Sequence, residues 1–201
     1  IDIPALFRAF FSQLGLGTPR GGSTITQQLV KNTILSPERS YVRKYREIII
    51  SLVAELKFSK DELLLMYLNE IPYGNNAYGI ELAAERYFGK EAKELNLAES
   101  AILASIPRAP TRYSPYGSYK YTVLHFELTE KNLGDRSISS EEDLKYDEFT
   151  RGLIGTTFTL PDSNTFYIKG RSDLVLDRMV ELGMITETEE KTALTEIQAL
   201  E

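Results

Sequence analysis

The sequence has no cysteine, no tryptophan and a single histidine among its 201 residues. The absence of cysteine excludes disulfides and thiolate metal sites, and a single histidine excludes metal sites built on two or more histidines. That histidine, His125, lies in the segment YTVLHFEL, which predicts a strand side chain rather than a member of a Ser-His-Asp triad. A P-loop is also absent, because Gly21-Gly22 is not followed by Gly-Lys-Ser/Thr.

Positive charge and long apolar runs are scarce as well. Lys and Arg number 23 against 29 Asp and Glu, and the net charge of −6 argues against a general nucleic-acid-binding protein. The best apolar run, Ile48 to Ala54, is interrupted by Ser51 and is far shorter than a membrane span. The length fits one domain, or one domain with an appendage. The first residue is Ile1 rather than methionine, which is compatible with a fragment.

The first segment is predicted to be an amphipathic helix. Asp2-Ile3-Pro4 is typical of a helix start, and apolar residues then recur at helical spacing as far as Leu14. Two interpretations stay open: a helix whose apolar face packs against the core, or an interfacial helix whose apolar side chains enter a bilayer. The residues alone favour the first, because apolar periodicity usually reflects burial.

Helical periodicity continues, and the chain up to about residue 116 is predicted to be nearly all α. One helix is expected to begin at Ser23 or Thr24, where TITQ has the form of a capping box. Ser36-Pro37 is expected to open the next helix, which runs through SYVRKYREIIISLVAELKFS. The other predicted helices are DELLLMYLNEI from Asp61, Ile80 to Phe88, and Leu97 to Ile106.

The segment from Gly117 to Gly170 differs from its surroundings, because it is aromatic, rich in threonine and locally alternating. TTFTLPDSNTFYIK predicts two short strands joined by a Pro-Asp-Ser-Asn turn, while the acidic SISSEEDLKYDEF predicts either a mobile segment or a short helix. Helical signals then return, with Ser172 or Asp173 as cap and Gly183 as stop. We therefore predict a core at residues 1–116, an atypical insertion at 117–170 and C-terminal helices of the same domain at 171–201.

The densest cationic cluster consists of Arg39, Arg43, Lys44 and Arg46, and Glu47 follows it directly. On a helix, Glu47 is three residues from Lys44 and four from Arg43, so both cations can pair with it. One interpretation is a surface ion-pair ladder that contributes about 0.3–0.5 kcal/mol per pair. The other is a site for a diphosphate or another multiply charged anion, which Lys31, shortly before the cluster, favours.

Three segments closely resemble, in order, the motifs of the peptidoglycan glycosyltransferase (transglycosylase) domain of class A penicillin-binding proteins and monofunctional transglycosylases. They are GGSTITQQLVKN, RKYREIIISLVAELKFSKDELLLMYLNEIPYGNNAYGIELAAERYFGK and LAESAILASIPRAPTRYSPY. The resemblance covers Ile1 to about Tyr116, and the final helices resemble the end of that domain. It implies a mainly α, lysozyme-like glycosyltransferase fold, here with a small β-rich insertion. It also implies polymerisation of lipid II, a disaccharide-pentapeptide on undecaprenyl diphosphate, outside the bacterial cytoplasmic membrane.

The resemblance also assigns roles to particular residues. The family positions that line the donor site and contact diphosphate and sugar are Ser23, Gln28, Lys31 and Asn32. Arg39 matches a phosphate-binding arginine, and Lys44 and Arg46 match basic positions beside the family's second acidic residue, Glu47. That catalytic-site carboxylate is implied to help position the diphosphate, either directly or through a divalent cation such as Mg or Mn. No cofactor is expected to be obligatory.

The implied reaction is an inverting glycosyl transfer. A carboxylate base deprotonates the 4-hydroxyl of an incoming GlcNAc, since a sugar hydroxyl is a poor nucleophile at neutral pH. The oxygen attacks C1 of the growing chain's terminal sugar, and the lipid diphosphate leaves. Cations are needed because negative charge grows on that leaving group in the transition state.

Two features depart from the family pattern. The family's first motif has a Glu-Asp pair, an aromatic residue and a histidine, and it ends just before a Gly-Ile-Asp. This sequence begins with Ile1-Asp2, so the general base is not among its residues. We expect the 201 residues to bind phosphoglycolipid without polymerising it. The second departure is the insertion at 117–170, where the family usually has a short linker, and its role is open.

Three hypotheses for the function are considered: a membrane-associated glycosyltransferase domain, a non-catalytic lipid-headgroup module or scaffold, and a lytic muramidase. The third is disfavoured, because cleavage of finished glycan needs no diphosphate-binding cluster. The expected partners are lipid II, the growing glycan chain, the membrane surface, moenomycin-type inhibitors and other cell-wall synthesis proteins, with no nucleic acid. The resemblance also favours partial membrane insertion of Phe7, Phe10 and Phe11. Tyr73, Gly74 and Asn76 either border the cleft or form only a turn.

Overall fold

The computed structural model describes residues 23–34 and 40–200. Helices predominate in this part of the chain, and the strands in it form two small antiparallel sheets. The mainly α fold with a small β-rich segment that the sequence predicts is thereby confirmed. The helices are α1 (Ile25–Thr33), α2 (Tyr41–Lys57), α3 (Lys60–Glu70), α4 (Ile80–Phe88), α5 (Leu97–Ser105), α6 (Pro110–Tyr113), α7 (Glu130–Leu133), α8 (Arg171–Glu181) and α9 (Glu187–Gln198). Short 3-10 helices lie at Ala92–Glu94, Ile106–Arg108 and Glu141–Asp143.

The chain divides into two compact units, Ile1–Ile71 and Pro72–Glu201. In the described part of the first unit, α1 packs against both α2 and α3. The Thr24 side chain caps α1 by accepting from the Gln27 amide, as the sequence predicts. Ser59 and Glu62 form a reciprocal capping box at the start of α3. Polar side chains therefore fix where these two helices begin.

In the second unit, α5 packs against α8 and α9. Its apolar face is almost entirely removed from solvent, and the fully buried side chains around it include Ile102, Leu103, Leu176 and Ile197. The YGNNAYG segment before α4 is a turn, as its composition predicts, with positive φ angles at Gly74, Asn75, Asn76 and Gly79. Any border that this turn forms with a binding cleft stays a prediction.

The predicted insertion contains both sheets. Strands β1 (Val123–Leu124) and β2 (Phe149–Thr150) pair antiparallel, and β3 (Thr156–Thr159) pairs antiparallel with β4 (Thr165–Ile168). The second pair is the hairpin predicted from TTFTLPDSNTFYIK. Apolar side chains of the segment pack on one another around Ile138, Phe166 and Ile168, and they include Leu124, Phe126, Leu133, Phe149 and Phe158. The insertion thus has a small hydrophobic core of its own. The division of the chain at residues 116 and 170 stays a prediction.

Close backbone packing joins the end of this segment to the start of α8. Ser172 donates its amide and its hydroxyl to the Leu153 carbonyl, at 3.1 and 2.8 Å. Gly170 lies so close to the backbone of residues 153–155 that an added Cβ would come within 3.0 Å of backbone atoms of Leu153, Ile154 and Gly155. Only a residue without a side chain fits at this crossing.

One predicted helix start is wrong, and another lies outside the described residues. Ser40 has extended backbone angles (φ −144°, ψ 155°) and caps α2 through a hydrogen bond from the Arg43 amide, so α2 begins at Tyr41. The start predicted at Ser36-Pro37 lies outside the described residues. The N-cap of α8 is Gly170 rather than Ser172 or Asp173. Asp173 instead reaches back to accept from the Gly170 amide at 2.8 Å. Polar residues close to the true cap produced this misplaced signal.

Acid is expected to loosen the insertion. The Arg136 guanidinium donates to both oxygens of Glu148, at 2.6 and 2.9 Å, and the Lys145 amide donates to the same carboxylate. These contacts lower the pKa of Glu148 to about 2. Because the folded-state pKa is below the usual value of 4.5, the stabilisation is complete above pH 4.5 and is lost as the pH falls towards 2.

The test follows urea unfolding through the Phe149 amide signal at pH 6 and pH 3. We expect the midpoint to fall at pH 3, and to fall less in R136Q. The control R178Q removes an exposed ion pair with Glu181 from the same unit and should behave like the wild type. Equal pH dependence in all three proteins would contradict the assignment.

Candidate functional site

Helix α2 has its polar side inward and an apolar side outward. Its two buried residues are Glu47 and Ser51, and the Ser51 hydroxyl donates to the Glu47 carbonyl at 2.6 Å. The large apolar side chains on the other side of the helix are exposed, namely Val42, Tyr45, Ile49, Leu52, Val53 and Leu56. The inward polar side of α2 faces α1, because Lys44 and Glu55 both bond to residues at the start of α1.

Lys44 is the centre of the polar cluster between the two helices. Its ammonium group donates to the Ser23 hydroxyl at 3.1 Å and forms an ion pair with Glu47. The Glu47 side chain is only 2% exposed, whereas that of Lys44 is 25% exposed. A buried carboxylate therefore anchors the lysine, while part of the lysine side chain stays exposed. Such a lysine can bind an anion while its ion pair with Glu47 stays intact.

The burial of Glu47 does not fit the surface ion-pair ladder that the sequence left open. Lys44 pairs with it, but Arg43, which is four residues away, does not. The Nε atom of Arg43 is buried without a hydrogen-bond partner among the described residues. A carboxylate removed from water is costly unless it is paired and hydrogen-bonded. Breaking the Lys44–Glu47 pair is therefore expected to cost more stability than breaking a solvent-exposed pair.

The other predicted site residues are less closely joined. The Gln28 amide oxygen accepts from the Tyr67 hydroxyl at 3.4 Å, and burial raises the pKa of Tyr67. Lys31 and Asn32 lie exposed near the end of α1, and Arg46 is exposed on α2. In the described ranges none of these three makes a hydrogen bond or an ion pair with Glu47. The predicted phosphate ligand Arg39 lies outside the described residues, as do Phe7, Phe10 and Phe11.

A second polar cluster was missed by the sequence analysis. The Thr26 hydroxyl donates to Glu55 at 2.5 Å, and Lys60 forms an ion pair with the same carboxylate. Hydrogen bonds from Lys60 and then from Thr26 lower the pKa of Glu55. These side chains line a hollow of about 320 Å³ together with Thr24, Ile25, Leu63 and Leu64. The sequence did contain a signal for this cluster, because the polar residues Glu47, Ser51 and Glu55 recur every four residues and so share one face of α2.

The described residues offer few ligands for a metal. No group of three or more His, Asp or Glu side chains among them could hold a metal ion. Glu47 is a single carboxylate, and its Oε1 atom is in contact with the Lys44 ammonium. None of the described helices is long and apolar enough to cross a membrane.

The arrangement places one lysine, paired with a buried carboxylate, beside a hydroxyl group at the start of α1. A family model described as Transglycosylase matches residues 1–131, which is more than half of the 201 residues. The chain therefore belongs to the transglycosylase family.

Two relatives found by sequence agree with this assignment. Penicillin-binding protein 1A of Pseudomonas aeruginosa is 49% identical over 116 residues, which cover 57% of this chain and 14% of that protein. Penicillin-binding protein 1A of Clostridium tetani is 43% identical over 152 residues, or 71% of this chain and 19% of that protein. The crystal structure of penicillin-binding protein 1A from Haemophilus influenzae aligns with 87% of this chain and 16% of its own, at 24% identity and a TM-score of 0.35. The chain thus spans less than a fifth of the length of these relatives.

Proposed function

We propose that this chain acts in peptidoglycan synthesis as a glycosyltransferase domain that takes lipid II as its substrate and transfers the glycan with inversion at C1. Membership of the transglycosylase family supports the reaction class. The observation that carries the assignment of the site is the position of Lys44, held between Ser23 and the buried Glu47. The proposed location is the outer face of the bacterial cytoplasmic membrane, where a lipid-linked substrate would be found.

In this proposal the Lys44 ammonium binds an oxygen of the lipid diphosphate, and the Ser23 hydroxyl fixes the direction of that contact. Glu47 acts behind the lysine, because its buried carboxylate holds the ammonium group in place. As the glycosidic bond breaks, negative charge grows on the departing diphosphate, and a fixed cation stabilises it more than water does. Gln28, Lys31, Asn32, Arg39 and Arg46 are proposed to complete the contacts with diphosphate and sugar.

A divalent cation fits this site only if the substrate supplies some of the oxygen atoms that coordinate it. Mg²⁺ is usually held by one or two carboxylates together with substrate phosphates. Glu47 would supply the single carboxylate, and the diphosphate would supply the other oxygens. The cation would then neutralise charge on the leaving group, which is the same task that we assign to Lys44.

The general base is proposed to lie outside these 201 residues, since the sequence contains no Glu-Asp pair followed by an aromatic residue and a histidine. We therefore expect the isolated chain to bind lipid II and moenomycin but to form no glycan. The alternative of a non-catalytic lipid-headgroup module makes the same prediction for the isolated chain. The two differ once the first family motif is supplied.

The experiment compares the 201-residue chain with a version that carries the Glu-Asp-x-x-Phe motif ahead of Ile1, using polymerisation of fluorescent lipid II. We expect product only from the extended version, and we expect Lys31→Ala to weaken moenomycin binding in both. Lys57→Ala is the matched control, because Lys57 is an exposed lysine near the other end of α2. Full turnover by the unextended chain would refute the placement of the base. Binding without turnover in the extended version would favour the non-catalytic module.

A further inference from the structure

One carboxylate joins the helices α1, α2 and α3 and has no assigned role. Glu55 belongs to α2, and it accepts from the Thr26 hydroxyl of α1 at 2.5 Å. Its other oxygen pairs with Lys60, the first residue of α3. Hydrogen bonds from Lys60 and then from Thr26 lower the pKa of Glu55, so the carboxylate is ionised at neutral pH. The bond from Thr26 is therefore charge-assisted, and such bonds are roughly twice as strong as those between neutral groups.

The bond between Thr26 and Glu55 holds the first turn of α1 on α2. Thr26 is 4% exposed and the Glu55 side chain is 10% exposed, so water competes little for either group. In the ranges 23–34 and 40–71 that the structure describes, this is the only side-chain hydrogen bond between α1 itself and α2. The buried apolar residues of α1, Leu29 and Val30, lie further along the helix. The polar bond therefore fixes where the first turn lies.

The same end of α1 carries a hydroxyl group of the proposed diphosphate site. Ser23 lies just before α1 and accepts from the Lys44 ammonium group at 3.1 Å. Ser23 is exposed, so packing around its own side chain does little to set its position. Lys44 and Glu55 lie on one helix, α2. A shift of the first turn of α1 relative to α2 would therefore change the distance between the Ser23 hydroxyl and the Lys44 ammonium group.

We propose that Thr26 and Glu55 are positioning residues for the site around Lys44. Their hydrogen bond sets the distance between the Ser23 hydroxyl and the Lys44 ammonium group, and through it the affinity for a diphosphate. Neither residue is assigned a contact with the ligand, and Lys60 holds the Glu55 carboxylate in place from α3. The effect on affinity rests on the proposed function, whereas the effect on the contact between Ser23 and Lys44 does not.

Thr26→Val in the full 201-residue chain tests the proposal, because valine is close to threonine in shape but cannot donate a hydrogen bond. The matched control is Thr33→Val in the same helix, since the Thr33 hydroxyl donates to the Leu29 carbonyl of α1 at 2.8 Å and joins no second helix. Thr26→Ser keeps the hydroxyl group. We expect the dissociation constant of moenomycin to rise about tenfold in T26V, as for the loss of one hydrogen bond to a charged group. T33V and T26S should bind as the wild type does.

A second measurement follows the Ser23 amide and Lys44 ammonium signals of the ligand-free chain by NMR. We expect both signals to shift in T26V and to stay in place in T33V and T26S. A merely structural role would lower the free energy of unfolding of T26V without moving either signal or the moenomycin affinity, and that result would overturn the proposal. Glu55→Gln replaces T26V if the latter does not fold. It should move the same two signals, because a neutral amide oxygen is a weaker acceptor, and unmoved signals in E55Q would equally overturn the proposal.

The two measurements also separate this proposal from the proposed function. Wild-type moenomycin affinity in Lys44→Met would contradict the diphosphate site, but the signals of the ligand-free chain would still show whether Thr26 and Glu55 set the contact between Ser23 and Lys44. Shifted signals in T26V together with wild-type moenomycin affinity in T26V would overturn the proposed effect on affinity.

Discussion

Lys44→Met is expected to weaken moenomycin binding by this chain by about 100-fold, because it removes the anchored cation of the proposed diphosphate site. The same substitution should lower the free energy of unfolding by about 3 kcal/mol, since it leaves the carboxylate of Glu47 buried without its counter-ion. Binding would be measured by displacement of a labelled moenomycin, and stability by urea unfolding. Both losses follow from one contact, so they should appear together.

Two further variants separate these effects. In K44M/E47Q the buried charge is removed along with its partner, so most of the stability should return while binding stays weak. Lys57→Met removes an exposed lysine from the same helix and should change neither property by more than a small amount. If K44M/E47Q recovered moenomycin binding, or if K57M weakened it as strongly as K44M, Lys44 could not be the diphosphate ligand.

Gly170→Ala should destabilise the second unit by about 3 kcal/mol, the upper range for overpacking. The new methyl group would meet backbone atoms of Leu153, Ile154 and Gly155, which cannot move as a flexible side chain can. The backbone of the insertion and that of α8 would have to separate, and the hydrogen bonds from Ser172 to Leu153 would weaken. Urea unfolding followed at signals of both α8 and β4 measures the loss.

Gly89→Ala is the matched control for this prediction. Its added methyl group would meet nothing within 4 Å, but its φ of +66° is strained for alanine. We expect a loss of about 1 kcal/mol from that strain. Both variants restrict the unfolded chain in the same way, so the difference between them isolates the clash. A Gly170→Ala protein as stable as Gly89→Ala would show that the backbones do not approach so closely.

Much of the helical framework follows from local signals. The predicted bounds of α4, Ile80–Phe88, match the structure, because an apolar face and a terminal Gly89 mark both the helix and its end. The start of α1 follows from the Thr24 cap, and the β3–β4 hairpin follows from threonine-rich alternation around a turn. Where two polar residues competed as caps, as Ser172 and Asp173 do near the start of α8, the local signal was ambiguous and the prediction was wrong.

The site depends on information that local patterns do not contain. Ser23 and Lys44 are 21 residues apart, and only the packing of α1 on α2 brings them together. The burial of Glu47 could not be predicted from the usual rule that the apolar side of a helix faces inward, since α2 is arranged the other way. The core of the insertion was missed for a similar reason, because Ile138, Phe166 and Ile168 lie in separate elements.

The central claim is that Lys44, held by Glu47 and beside the Ser23 hydroxyl, binds the diphosphate of a lipid-linked sugar. It is tested most directly by titrating the isotope-labelled 201-residue chain with a short-chain lipid II and following the Lys44 ammonium and Ser23 amide signals. The account predicts saturable shifts of both signals, and their loss in the presence of excess moenomycin. Saturable binding of lipid II that leaves both signals unchanged would contradict it.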